Sequence, residues 1–201
     1  MIFDKLNIPQ VPYMCFSDDY NINEIINTLD FPLIVKPCRC GSSIGISTAH
    51  NKKELVKAIK LAKKYDNKFV VEKFIKAREL ECAVIGDEYL LCSKPGEIKS
   101  SCEFYDYDSK YVSKSSETNI CNNLPLNVYE KLKDYAVRIF IEFDCSNYSR
   151  IDFFYNESDG SIYINEINTL PGFTEISMFP KLLEHENISY CDLITTLINN
   201  A

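Results

Sequence analysis

The residues with the densest potential chemistry lie in RIDFFYNESDGSIYINEIN (150–168), where two strand-like runs flank ESDG. Four polar residues recur there at even positions: Arg150, Asp152, Glu166 and Asn168. Side chains alternate along a strand, so a hairpin centred on Asp159 sets Asp152 opposite Glu166 and Arg150 opposite Asn168, all on one face. Two opposed carboxylates repel, and a divalent cation between them reverses the sign. Asp, Glu and Asn supply oxygen ligands, which suits Mg²⁺ or Mn²⁺ rather than zinc. The plainer reading of the same pattern is an Arg150–Asp152 surface pair with Glu166 in solvent. Both readings depend on register, because a one-residue slip moves every side chain to the other face.

A second stretch, KPCRCGSSIG (36–45), follows an apolar strand-like run. Its glycines, backbone N–H groups and two hydroxyls can wrap phosphate oxygens, with Lys36 as counter-charge. The lysine precedes the glycines, so the order is not that of a P-loop. Turn chemistry alone also favours Gly and Ser. The nucleotide reading gains weight from the oxygen-ligand patch and from the charged strand end VEKF (71–74). Cys38 and Cys40 invite a zinc reading, but two further ligands at a known spacing are missing, which argues against a metal clip.

These groups need elements to hold them. Strands are expected at 11–17, 33–36, 69–74 and 79–86, the last with Leu80, Cys82 and Val84 on one side. A turn at 86–88 returns the chain as YLLCS. Helices are expected at 21–29, at 51–65 with Asn51 and Glu54 as a cap, at 127–143 along Leu132, Tyr135, Ile139 and Phe143, and at 189–199 capped by Ser189. Residues 94–126 read as a long, partly irregular functional loop region with an aromatic cluster at 104–111. There is no internal repeat. Mixed strands and helices imply an α+β chain with largely antiparallel sheets.

Bulk properties exclude several classes. The chain has 201 residues, 46% hydrophobic, and a net charge of −7. No basic run is long enough to track a nucleic-acid backbone. The apolar runs fall short of the roughly 18 residues of a membrane span, and the first ten residues lack signal-peptide character. Nine scattered cysteines without a C-x-x-C fit a reducing cytoplasm, with most thiols core or half-buried and acting as small hydrophobes.

Taken in order, KPCRCGSSIGIS (36–47), VEKFIKARELECAVIGDE (71–88), GEI (96–98), EFYDYDSKY (103–111), RIDFF (150–154) and INEINTLPGFTEISMFP (164–180) cover nearly all of the chain. The combination resembles the ATP-grasp enzymes, specifically the D-alanine–D-alanine ligases, with vancomycin-resistance ligases as close relatives. The resemblance implies two α+β subdomains, 1–74 and 75–201, with mainly antiparallel sheets clamping ATP. It implies an ATP-dependent joining of two D-amino acids through an acyl phosphate, for peptidoglycan precursors. By the same resemblance Lys36, Ser43 and Lys73 meet the nucleotide and its phosphates. Glu72, Lys73, Phe74 and Ile75 run along adenine, Glu79 holds the ribose hydroxyls and Lys110 reaches the γ-phosphate. Asp152, Glu166 and Asn168 bind two Mg²⁺ or Mn²⁺ ions, and Arg150 stabilises the oxyanion. Ser42 and Tyr111 orient the first amino acid; Gly172 and Ser177 hold the carboxylate of the second. D-Alanine and ATP are the implied partners, and full-length relatives are often homodimers.

The chain departs from the family in lacking its additional N-terminal domain, so it resembles the C-terminal two-thirds of a ligase. It is expected to bind ATP and metal weakly, and to ligate poorly or not at all by itself. Cys38 and Cys40 are not required by the family pattern. Two alternatives stand beside the main reading: another ATP-grasp carboxylate–amine ligase, such as one using D-serine, and an inactive nucleotide-binding remnant. The intact Lys36, Arg150, Asp152, Glu166 and Asn168 argue against the remnant.

Overall fold

The structure, a computed structural model, describes residues 2–87, 89–99, 117–174 and 176–200. Two compact units divide the chain: Val11–Lys76, and a second unit built from 2–10, Ala77–Lys99 and 117–200. Residues 2–10, placed in the first unit by a division into 1–74 and 75–201, pack instead with the second. The physical reason is local. Ile164 donates its N–H to the Pro9 carbonyl (2.9 Å), and Ile8 is buried in the second unit's core.

The first unit is a four-stranded antiparallel sheet with two helices. Its strands are β1 (Tyr13–Phe16), β2 (Leu33–Pro37), β3 (Ser47–Ala49) and β4 (Phe69–Lys73), in the order β1-β4-β2-β3. Leu33, Val35, Phe69 and Val71 alternate onto one face and meet Ile25, Leu29, Leu55, Ile59 and Ala62. Those five come from α2 (Ile22–Leu29) and α3 (Lys52–Ala62). Helix α3 begins where the sequence predicts: Asn51 accepts from the Glu54 N–H (3.0 Å), and the Glu54 carboxylate accepts from the His50 N–H (2.8 Å). The opposite face of the sheet is left to Ile34, Lys36, Val70 and Glu72.

The second unit is a six-stranded sheet. Strands β5 (Arg78–Ile85), β6 (Leu91–Cys92), β7 (Gly96–Lys99), β8 (Glu117–Ile120), β9 (Tyr148–Asn156) and β10 (Ser161–Asn168) run in the order β10-β9-β5-β7-β8, with β6 on β5. Every ladder is antiparallel. Both faces carry an apolar core. Leu80, Cys82, Val84, Ile151 and Phe153 pack on one face with α4 (Leu126–Glu142), which supplies Leu132, Tyr135, Ala136 and Ile139. Ala83 and Ile85 pack on the other with Phe179, Leu182 and Leu193, from α5 (Met178–His185) and α6 (Tyr190–Asn199). A short α1 (Ile2–Lys5) precedes β1 in the chain.

The α+β reading with antiparallel sheets agrees with this architecture. Two expectations need correction. The region read as partly irregular, 94–126, contains β7 and β8, which pair in register from Gly96↔Ile120 to Lys99↔Glu117. Residues 178–185 form a helix that the sequence reading did not assign. Pro180 is tolerated there because it lies in the first turn, where its N–H is not needed.

Candidate nucleotide and metal site

The hairpin residues come together as the sequence pattern implies, but through a device the pattern conceals. Near the turn Ile162 pairs with Tyr155 and Ile164 with Phe153; beyond it Glu166 pairs with Asp152 and Asn168 with Arg150. A β-bulge between Ile164 and Glu166 absorbs the difference. A hairpin centred on Asp159 therefore predicts the right pairs at the polar end and the wrong ones at the turn. Continued regularly from the turn, the ladder would set Asn165 opposite Asp152 and aim Glu166 at the core beside Ile151. The extra residue re-aims the strand, so Glu166 and Asn168 join the face of Arg150 and Asp152.

Next to Arg150 and Asp152, that face holds a further carboxylate. Glu81 on β5 pairs with Asp152 and is 2% exposed, and Asp152 is 1% exposed. Arg150 serves both. Its Nε and Nη2 donate to the two oxygens of Asp152 (2.8 Å each), and Nε lies 3.0 Å from Glu81 Oε2. Asn168 Nδ2 donates to Asp152 Oδ2 (3.0 Å) and to Glu166 Oε1 (3.3 Å). Burial opposes charge on Arg150, and Asp152 and Glu81 outweigh it, holding the guanidinium above its usual pKa. The Arg150–Asp152 pair of the plainer reading thus exists, but in the interior rather than at the surface, while Glu166 is exposed.

Around Arg150, the carboxylates of Asp152, Glu81 and Glu166 against one guanidinium leave a formal charge of −2, and the inner members are dry. That donor set fits a hard divalent cation. Asp152 and Glu166 supply carboxylate oxygens, and Asn168 turned end for end would place its Oδ1 where its NH₂ now points. Among the described residues no group of three or more His, Cys, Asp and Glu side chains is placed to hold a metal; the set here counts an amide as its third member.

Glu79 is on the same face of β5 as Glu81, two residues along, and pairs with Phe154 and Ile98. Gly172 and Ser177 also meet. A Cβ at Gly172 would lie 2.7 Å from Ser177 Oγ, so only glycine admits the hydroxyl there. Ser177 precedes α5 without capping it by its side chain. Its Oγ instead accepts from the Thr174 N–H (3.0 Å) and pairs with Thr174 Oγ1 (2.8 Å).

In the first unit Lys36 and Glu72 are diagonal neighbours on β2 and β4, and Lys36 Nζ lies 2.6 Å from Glu72 Oε2. The following loop bends through Ser42 (φ 54°), Ser43 (φ 59°) and Gly45 (φ 75°). Two successive serines in the left-handed region are uncommon. The Ile44 N–H donates to Gly41 O (3.2 Å) and that of Ile46 to Ser43 O (3.3 Å). At the other end of the unit, the N–H groups of Lys73 and Phe74 donate to Pro12 and Pro32 carbonyls (2.9 Å each). A ring lying along 72–75 would therefore meet other backbone groups of the segment. Lys110 and Tyr111 lie outside the described residues.

All eight described cysteines are free, and burial with Cys15 alongside pushes the Cys38 thiol up to about 11. It is a protonated thiol near neutral pH.

Sequence reasoning missed Glu81. ELECAVI alternates, and its Glu side reads as solvent-facing; the helices that pack on Ala83 and Ile85 cover that side and make it interior. A signal for the bulge was present: the apolar residues of β10 fall at 162, 164 and then 167, changing parity where the bulge occurs.

The family described as D-ala D-ala ligase C-terminus matches residues 2–199. A D-alanine–D-alanine ligase of Acetivibrio thermocellus is 44% identical over 208 residues, covering 100% of this chain and 55% of the relative. Among solved structures, the VanG D-Ala:D-Ser ligase of Enterococcus faecalis has a TM-score of 0.87 at 35% identity, covering 98% of this chain and 58% of its own. The D-alanine–D-alanine ligase of Bacillus anthracis complexed with ATP has a TM-score of 0.82 at 26% identity, covering 99% and 62%. The chain spans about half the length of the curated relatives it matches.

Proposed function

The chain belongs to the D-alanine–D-alanine ligase C-terminal family, and from that premise we propose that it carries the ATP and metal chemistry of a ligase joining two D-amino acids. The observation that carries the reading is the bulged hairpin face, where Arg150 sits between Asp152 and Glu81 with Glu166 and Asn168 beside it. A solved relative complexed with ATP, similar over nearly the whole chain, supports ATP as the nucleotide.

A carboxylate is a poor acceptor for an amine near neutral pH. Transfer of the γ-phosphoryl of ATP to the first D-amino acid gives an acyl phosphate, and the second amino acid's amine displaces phosphate from the acyl carbon. Asp152, Glu166 and Asn168 would hold Mg²⁺ or Mn²⁺, which when bound neutralises charge on the transferring phosphoryl group. Arg150, kept protonated by its carboxylates, is suited to stabilise the oxyanion at the acyl carbon. Lys36 supplies positive charge for phosphate oxygens, and the Ser42–Ser43 loop supplies N–H and hydroxyl donors. Glu79 offers a carboxylate to ribose hydroxyls, and the Gly172–Ser177 turn offers a hydroxyl and the start of α5 to the second carboxylate. Lys110 and Tyr111 keep the roles implied by the resemblance, at the γ-phosphate and the first amino acid.

The second substrate has two readings, because one solved relative is a D-Ala:D-Ser ligase with a TM-score of 0.87. The test is phosphate release from ATP by the protein with D-alanine alone, and with D-alanine plus D-serine, with the dipeptide product identified by chromatography. D-Alanyl-D-alanine as the main product supports the first reading and a mixed D-Ala–D-Ser product the second. If Mg²⁺ and ATP together give no thermal shift, the inactive-remnant alternative wins.

A further inference from the structure

We propose that Asp66 is a positioning residue for the Gly-Ser loop at 41–45, and that the α3–β4 connection at 65–68 is the platform that sets this loop for phosphate. The inference rests on the nucleotide reading of the loop.

Asp66 is a buried carboxylate, 6% exposed, in a connection that has no chemistry of its own. Nearly all of its bonding goes to Arg39, at the entrance of the loop. Oδ2 accepts the Arg39 backbone N–H (2.8 Å), Nε lies 3.1–3.2 Å from both oxygens, and Nη2 donates to Oδ1 (2.5 Å). The Lys68 N–H donates to Oδ1 (3.1 Å), and the Lys68 carbonyl accepts from Cys38 N–H (2.9 Å). The loop entrance is thus tied by both backbone and side chain.

The exit is tied to the same connection by packing. Gly45, at φ 75°, lies so close to the Tyr65 ring that a Cβ would be 2.7 Å from Tyr65 Cδ2 and 3.2 Å from Pro37 Cγ. Cys40 Sγ also reaches the Tyr65 carbonyl (3.9 Å). Ser42 and Ser43, both left-handed, lie between these two fixed points. That conformation persists only where its surroundings impose it, and 65–68 supplies them at both ends.

An ion pair with so exposed an arginine, whose side chain is 76% exposed, contributes little to global stability. Its effect is local order, and order in a loop that binds a ligand lowers the cost of binding. The guanidinium of Arg39 and the Lys68 N–H hold the Asp66 carboxyl well below the usual carboxylate range, so the tie is intact throughout the neutral range.

The experiment is a calorimetric titration with Mg–ATP, paired with hydrogen exchange of the amides at 40–46, on wild type, Asp66→Asn and Arg39→Ala. For Asp66→Asn the expected result is faster exchange at 40–46 and an affinity weaker by about tenfold, the scale of one lost charge-assisted bond. Arg39→Ala keeps the backbone tie at residue 39 and should lose roughly threefold, a smaller part of the same effect. Because Arg39 is a surface side chain, that variant keeps the test valid if Asp66→Asn does not fold. Affinity within twofold of wild type in both variants, or a loss of affinity with unchanged exchange at 40–46, overturns the proposal. A wild-type chain that binds no Mg–ATP contradicts the nucleotide reading itself, an outcome distinct from the other two, and takes this proposal with it.

Discussion

In the first unit the candidate phosphate-binding hydroxyls and N–H groups sit on a loop whose backbone is held in a disfavoured conformation. In the second the candidate chemical groups sit on strands that are regular apart from one extra residue. The loop's resources are backbone N–H groups and two hydroxyls, and the end of β2 beside it adds a lysine already paired with Glu72. The hairpin face's resources are side-chain charges, three acidic and one basic, of which Asp152 and Glu81 are almost fully buried. The difference teaches where function and stability separate. Groups on the strands also determine whether the sheet is tolerable electrostatically. Groups on the loop do not, because the sheet beneath them is held by a separate apolar core.

The largest expected effect therefore belongs to the strands. Arg150→Met leaves Glu81 and Asp152 buried without their cation, and should cost about 3–5 kcal/mol in urea unfolding. Mn²⁺ should restore part of that loss. A cost under about 1 kcal/mol would mean that the carboxylates are solvated, and the contrast with the loop would collapse.

Glu166→Gln tests the same face at its exposed end. Stability should change by no more than about 0.5 kcal/mol, as for most surface substitutions. Mn²⁺ affinity, read by paramagnetic titration, should fall by at least the roughly tenfold that even outer-shell partners are worth. Unchanged affinity would remove Glu166 from the metal set.

Lys36→Met should act in the opposite sense to Arg150→Met. Its partly exposed pair with Glu72 contributes at most about 1 kcal/mol to stability. Mg–ATP affinity should fall about tenfold, in line with one charge-assisted bond. A large stability loss without an affinity change would reverse the comparison.

The smallest effect is that of pH on the loop. Asp66 has its folded pKa depressed, so its contribution is present above the unfolded carboxylate range and is lost as pH falls through the folded value. Protection of the amides at 40–46, corrected for intrinsic exchange, should be flat from neutral pH to about pH 4 and decline only below it. A decline between pH 7 and 5 would show that some other group holds the loop.

Much of this arrangement was legible in the residues. Asn51 and Glu54 marked the start of α3, Ser189 that of α6, and the even spacing of Arg150, Asp152, Glu166 and Asn168 gave the polar pairs. What escaped depended on neighbours distant in sequence. Glu81 reads as a solvent-side residue until helices α5 and α6 are known to pack on that side of β5. GEIK and ETNI are too short and polar to read as strands, yet they pair because each supplies the other's ladder. The bulge at Asn165 showed only as a change of parity among the isoleucines of β10. Asp66 carries no local signal, since its partner Arg39 lies 27 residues earlier.

The central claim is that the bulged end of the β9–β10 hairpin takes a divalent cation for ATP chemistry. Anomalous diffraction from crystals grown with Mn²⁺ and ATP tests it most directly. The expected result is a manganese peak within bonding distance of the Asp152 and Glu166 carboxylates and of Asn168. Manganese bound elsewhere, or no peak beside an unaltered Arg150–Asp152 pair, would contradict it.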